Sequence, residues 1–185
     1  MPVEATPAAA VRVWDPLVRV LHWSTVAGVA VSWITSEVGR SLHEPIGWAV
    51  MAFVAVRLAW GLAGPRHARF ASFVRGPTAV AAYAGQALRG REARYVGHNP
   101  LGGWMIVALL ATLCGVGFTG WLMGTDRWWG DEFMEDVHEA LAVLLLSLAG
   151  LHVAGAIVTG FKHGENLVRA MVTGEKRAAQ PGDID

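Results

Sequence analysis

The chain has 185 residues, of which 54% are hydrophobic and only 16% charged, with a formal net charge of zero and a mean hydropathy of +0.39. A water-soluble domain carries about 25% charged residues, so the composition argues against one, and the balanced charge gives no reason to expect nucleic-acid binding. The one cysteine, Cys114, cannot build a disulfide framework, a zinc cluster or an iron–sulfur site; in the middle of an apolar run it reads as a small buried residue.

Residues 1–14 contain no apolar h-region of a secretory signal, and the first apolar run is long enough to remain as an uncleaved spanning helix. The reading is a single all-α domain over residues 1–185, with spans at about 17–36, 43–63, 102–123 and 137–161. Each approaches or exceeds the roughly 20 residues that cross a hydrocarbon core. A soluble four-helix bundle would carry charge on its outer faces, whereas residues 20–34, 102–123 and 140–159 contain no Asp, Glu, Lys or Arg. Asp15-Pro16 precedes the first span. Pro45 falls in the first turn of the second, where proline is tolerated, and Gly64-Pro65 follows that span. Between the second and third spans, Val80, Tyr83, Ala84, Ala87 and Leu88 recur at helical spacing after Gly76-Pro77. They predict a short helix over about 77–89, lying on the membrane surface or packed on the bundle. Asn99-Pro100 opens the third span, and Gly130-Asp131 lies ahead of the fourth.

Charge placement sets the orientation. With the N-terminus cytoplasmic, the N-terminal segment, the middle loop and the C-terminal tail hold Arg12, Arg19, Arg66, Arg69, Arg75, Arg89, Arg91, Arg94, Lys162, Arg169, Lys176 and Arg177. The two opposite loops hold only Arg40 and Arg127, while Arg57 lies inside the second span. That asymmetry predicts a multi-pass membrane protein with both termini in the cytoplasm. The far side is acidic, with Glu37, Glu44, Asp126, Asp131, Glu132, Glu135, Asp136 and Glu139. Seven of the nine tryptophans fall near predicted span ends, where an aromatic belt is expected.

Of seven histidines, four lie in or at the ends of spans, where an ionisable group is expensive and points to function. His138 and His152 are fourteen residues apart on the fourth span, which places them on nearly one face and about 21 Å apart along the axis. His22, early in the first span, shares the cytoplasmic depth of His152, and His43, at the start of the second, shares the outer depth of His138. Two histidine pairs at two depths are what two six-coordinate haems would need, and the sequence has no C-x-x-C-H for covalent attachment. The expectation is therefore two haem b groups with iron ligands His22/His152 and His43/His138. The competing readings are polar histidines hydrogen-bonding inside a bundle, or a non-haem metal site using Glu135 and His138.

Arg57 lies fourteen residues beyond His43, at the depth of the inner pair, and a haem propionate is a natural counter-ion for it; snorkelling to the cytoplasmic edge is the alternative. Arg19, three residues before His22, is the second candidate for haem binding. Gly28, Gly47, Gly150 and Gly155 would suit either a flat macrocycle or close helix contacts. His67 and His163 read as solvent or headgroup residues. His98 is open between a propionate contact, a quinone contact and replacement of His22 or His152 as a ligand.

These residues resemble the prokaryotic cytochrome b561 family, related to the b-type cytochrome subunits of nickel–iron hydrogenases. The resemblance runs through Val13-Trp14-Asp15-Pro16, Leu21-His22-Trp23, His43 with Gly47, Arg57-Leu58-Ala59-Trp60-Gly61, His67-Ala68-Arg69-Phe70, Gly97-His98-Asn99-Pro100-Leu101-Gly102-Gly103, Val137-His138-Glu139 and His152. It implies a four-helix membrane protein with two b haems, with ligands at His22, His43, His138 and His152. It also implies electron exchange between ubiquinone or another quinone and a periplasmic donor or acceptor. One type in the family oxidises superoxide and reduces ubiquinone, whereas hydrogenase-linked members usually have an extra helix. Three functions compete: a carrier docked by a periplasmic redox protein such as a c-type cytochrome, a superoxide:quinone oxidoreductase, and a haem-free transporter or assembly protein. The acidic far side would repel superoxide and suit a basic partner. No catalytic residue is identifiable from sequence.

Overall fold

The computed structural model describes residues 10–37 and 39–185; residues 1–9, and with them the first part of the segment read as lacking an h-region, lie outside the described residues. Of the described residues, 71% are helical. Strand β1 (Ala10–Arg12) is followed by α1 (Pro16–Thr35), α2 (Arg40–Ala63), a 3₁₀ turn (Arg66–Ala68), α3 (Phe70–Phe73), α4 (Pro77–Leu88), α5 (Pro100–Leu122), α6 (Glu132–His163), α7 (Leu167–Thr173) and β2 (Glu175–Arg177). Four of these helices, α1, α2, α5 and α6, are long and apolar enough to span a membrane.

Local chemistry sets the helix ends. Asp15 accepts hydrogen bonds from the amides of Leu17 and Val18 at 3.0 and 3.1 Å, with Pro16 as the first helical residue of α1. Asn99 caps α5 through the Gly102 amide at 2.7 Å, ahead of Pro100. Asp131 caps α6 through the Met134 amide at 2.9 Å. Gly164 ends α6 at φ 63°, a conformation that glycine adopts without Cβ strain. At 32 residues α6 is about 48 Å long, so it projects beyond a hydrocarbon core of about 30 Å. It begins five residues before the predicted span because Asp131, not the first apolar residue, starts it.

The bundle is built by α1 against α2, α2 against α5, and α5 against α6. Its centre is the cluster of Val50 and Val54 (α2), Leu113 (α5) and Leu145 (α6). Elsewhere the long helices turn apolar side chains outward: Leu151, Val153, Val158 and Phe161 of α6 are all exposed. In water such a surface would aggregate; in lipid it is the solvent-facing side.

At the arginine-rich end lies a cap that sequence periodicity did not indicate. β1 pairs antiparallel with β2, with Val11 opposite Lys176. Under it the buried Arg94 is bonded to Asp183, to Glu165 at 2.5 Å and to the Arg177 carbonyl at 2.6 Å. Lys176, also buried, donates to the carbonyls of Tyr95 and Val96 at 3.1 and 2.9 Å. Burial opposes the charge of Arg94, but its hydrogen bonds to Glu165 and Asp183 outweigh that and raise its pKa. Two of the cations counted for orientation thus belong to an internal ion cluster. Helix α4 occupies the predicted surface segment, with Tyr83 buried edge-to-face on Tyr95, ring centres 5.6 Å apart.

Candidate functional site

Helix α6 carries one member of each histidine pair and packs mainly on α5 and α7, and Leu145 of α6 meets Val50 and Val54 of α2 in the core. At the acidic end the structure brings His43 of α2 and His138 of α6 together, with ring centres 6.2 Å apart and planes at 75°. Both rings are held from behind. His43 Nδ1 lies 2.9 Å from the carbonyl of Ser32 in α1, and His138 Nδ1 lies 2.9 Å from the hydroxyl of Thr119 in α5. Among the described residues, neither ring has a hydrogen-bond partner at Nε2.

At the arginine-rich end His22 and His152 are within electrostatic reach of each other. Trp23 stacks edge-on against His22 at 5.0 Å, and His22 Nδ1 is buried without a protein partner. Arg57 of α2 is half-buried. One of its nitrogens donates to the Ala68 carbonyl at 3.2 Å, its guanidinium lies over Phe70 at 5.1 Å, and Nη1 is buried and unpartnered. Arg19 donates to the Thr173 carbonyl at 3.0 Å, with Nε buried and unpartnered. A buried polar atom without a partner is uncommon and costly, and among the described residues His22, Arg57 and Arg19 each carry one.

His98, just outside α5, is wedged between Trp14 and Phe73, with ring centres at 4.4 and 4.8 Å. Burial, then the positive charge of Arg57, pushes its pKa down to about 3. His67 is also pushed down by burial, against the pull of Asp185, whose carboxylate lies 4.0 Å away. His67 thus faces a carboxylate on the tail, not open solvent.

Gly28 is accounted for by helix packing, since its Cβ position is taken up by Val50, whereas a Cβ at Gly47, Gly150 or Gly155 would meet no protein atom. Thr119 and the Ser32 carbonyl escaped sequence reasoning. A hydroxyl in an apolar helix usually bonds its own backbone, and a carbonyl gives no sequence signal. Among the described residues no three His, Cys, Asp or Glu side chains cluster closely enough to hold a metal ion.

The family profile described as prokaryotic cytochrome b561 matches residues 13–174. No curated protein and no solved structure matches the chain significantly. The matched region begins just after β1 and ends just past α7, and so takes in all four spanning helices and every histidine discussed above. The chain belongs to the prokaryotic cytochrome b561 family and is a membrane b-type cytochrome of electron transfer.

Proposed function

We propose that the protein holds two haem b groups, one between His43 and His138 and one between His22 and His152, and carries electrons across a bacterial inner membrane between a periplasmic redox protein and the quinone pool. The observation that carries this reading is the outer histidine pair. Two metal–imidazole bonds of about 2 Å each, plus about 1 Å to each ring centre, require ring centres about 6 Å apart. The rings of His43 and His138 are at 6.2 Å, with both Nδ1 atoms already bonded. Haem bound between two histidines supplies a one-electron couple with no open position at iron for a substrate.

The residues do the remaining work. His138 and His152, on one uninterrupted helix, set the two sites about 21 Å apart along the bundle. Arg57 and Arg19 offer guanidinium donors to propionates at the inner site, supported by their unpartnered nitrogens. The apolar shell of Val50, Val54, Leu113 and Leu145 keeps water from the centre.

For the partner, charge favours a basic protein. Of the two outer arginines, Arg40 is engaged by Glu44 at 3.6 Å and lies over the Trp129 ring at 4.1 Å. Eight carboxylates therefore dominate the field at that end, which attracts cationic surfaces and repels superoxide. The test is a pyridine-haemochrome count on the wild type and the four His→Ala variants. Two haems are expected in the wild type, with one lost on changing His22 or His152 and the other on changing His43 or His138. A wild type without haem, or variants that retain both, would end the proposal. Superoxide-dependent quinone reduction by the purified protein would replace the docked carrier with an oxidoreductase.

A further inference from the structure

We infer that Thr119 is a positioning residue for the outer site, where its hydroxyl holds His138 in the tautomer that presents Nε2 to iron and makes that ring the stronger electron donor. The inference rests on the reading of His138 as an axial ligand.

A threonine hydroxyl has one proton and two lone pairs. Thr119, 6% exposed, lies 3.0 Å from the carbonyl of Gly115 and 3.0 Å from that of Val116. Carbonyls only accept, so the hydroxyl proton is directed to them. What Thr119 then offers His138 Nδ1, at 2.9 Å, is a lone pair. Nδ1 must carry the hydrogen, and a neutral imidazole protonated there has its free pair on Nε2. The next residue, Gly120, completes the seat: a Cβ there would stand 3.2 Å from His138 Cε1 and push the ring. Across the gap, His43 Nδ1 donates to the Ser32 carbonyl at 2.9 Å, which fixes the same tautomer.

The inner site is built differently, because His22 Nδ1 is buried with no partner. A ring N–H that donates to an acceptor makes its imidazole a stronger base and orients it. A stronger base stabilises ferric over ferrous iron. Thr119 therefore lowers the potential of the outer site relative to the same site without it, and restrains rotation of the His138 ring.

The full-length protein, purified with its haem, is compared as wild type, Thr119→Val and Thr119→Ser. Valine keeps the branched shape without the acceptor, and serine keeps the acceptor. Potentiometric titration should show one midpoint potential raised in the valine variant. Several-fold more of that haem would be reduced at a fixed ambient potential, while the other midpoint is unmoved and serine restores the wild-type value. The ferric low-spin EPR signal of the same site should change in the valine variant alone. Loss of one haem in the valine variant that serine prevents supports the same role. Potentials and spectra unchanged in both variants, or haem lost from both, would overturn it while leaving the two-haem reading intact. Two haems retained by His138→Ala would instead remove the ligand assignment and the inference with it.

Discussion

Trp60, near the end of α2, donates its indole N–H to Asp15 at 3.2 Å, and the same carboxylate oxygen caps the first turn of α1. One side chain thus starts one spanning helix and fastens the finish of the next. Asp15→Ala should remove both bonds and destabilise the protein by about 2 kcal/mol. Asp15→Asn, which keeps an acceptor, should cost less. Thermal unfolding in detergent, followed by circular dichroism, measures both.

Arg57 should act on one haem only. Arg57→Gln keeps a donor for the Ala68 carbonyl but removes a positive charge from the inner site, which favours ferric iron. The expected result is a fall in one midpoint potential, of order tenfold in the reduced-to-oxidised ratio or about 60 mV, with the other unchanged. A redox titration in which both potentials hold their wild-type values would show that the guanidinium serves only the fold.

The cap at the arginine-rich end should fail when its central cation is lost. Arg94→Met leaves the carboxylates of Glu165 and Asp183 without their main partner, and breaking a buried pair costs about 3–5 kcal/mol. Lys176 and Arg177 remain nearby, at 3.4 Å from Glu165 and 3.7 Å from Asp183, so the lower end of that range is expected. Limited proteolysis between α4 and α5 should accelerate in step with the loss.

Acid should loosen the same end. His98 is depressed from its ordinary 6.5 to about 3, so it stays neutral in the folded protein while the unfolded chain takes up a proton. Its contribution is fully present above pH 6.5 and is lost as pH falls, by up to about 1.4 kcal/mol per pH unit. Glu165 and Asp183 are both held below the ordinary carboxylate range by hydrogen bonds to Arg94 and neighbouring backbone amides, which outweigh burial. Their contribution therefore stays intact until acid reaches that lower range. Unfolding midpoints measured from pH 7 to pH 5 should fall in the wild type and fall less in His98→Phe.

Association with a basic redox partner should depend on salt. Changing Asp126, Asp131, Glu132 and Asp136 to their amides should slow electron transfer from a cationic donor at low ionic strength, and the difference should fade near 0.15 M salt, where the screening length is about 8 Å. Stopped-flow reduction at several salt concentrations reads this directly.

The four spans and the spacing of His138 and His152 were legible because both rest on periodicity within one helix. An apolar run of about 20 residues has one meaning in a bilayer, and the spacing of His138 and His152 follows from helical pitch alone. The cap was not legible, since Arg94, Glu165, Lys176 and Asp183 lie far apart in sequence and each reads as an ordinary loop charge. His98 kept several readings open because its surroundings come from Trp14 and Phe73 in two other segments. Thr119 was silent for a related reason, as its meaning depends on which ring of the neighbouring helix it meets.

The uninterrupted course of α6 through both histidines makes that helix a ruler. One added residue between His138 and His152 would swing one ring by about 100° away from its counterpart, while four would turn it by about 40° and slide it about 6 Å. On the two-haem reading, the distance an electron must cover is therefore graduated in helical turns and not in loop lengths.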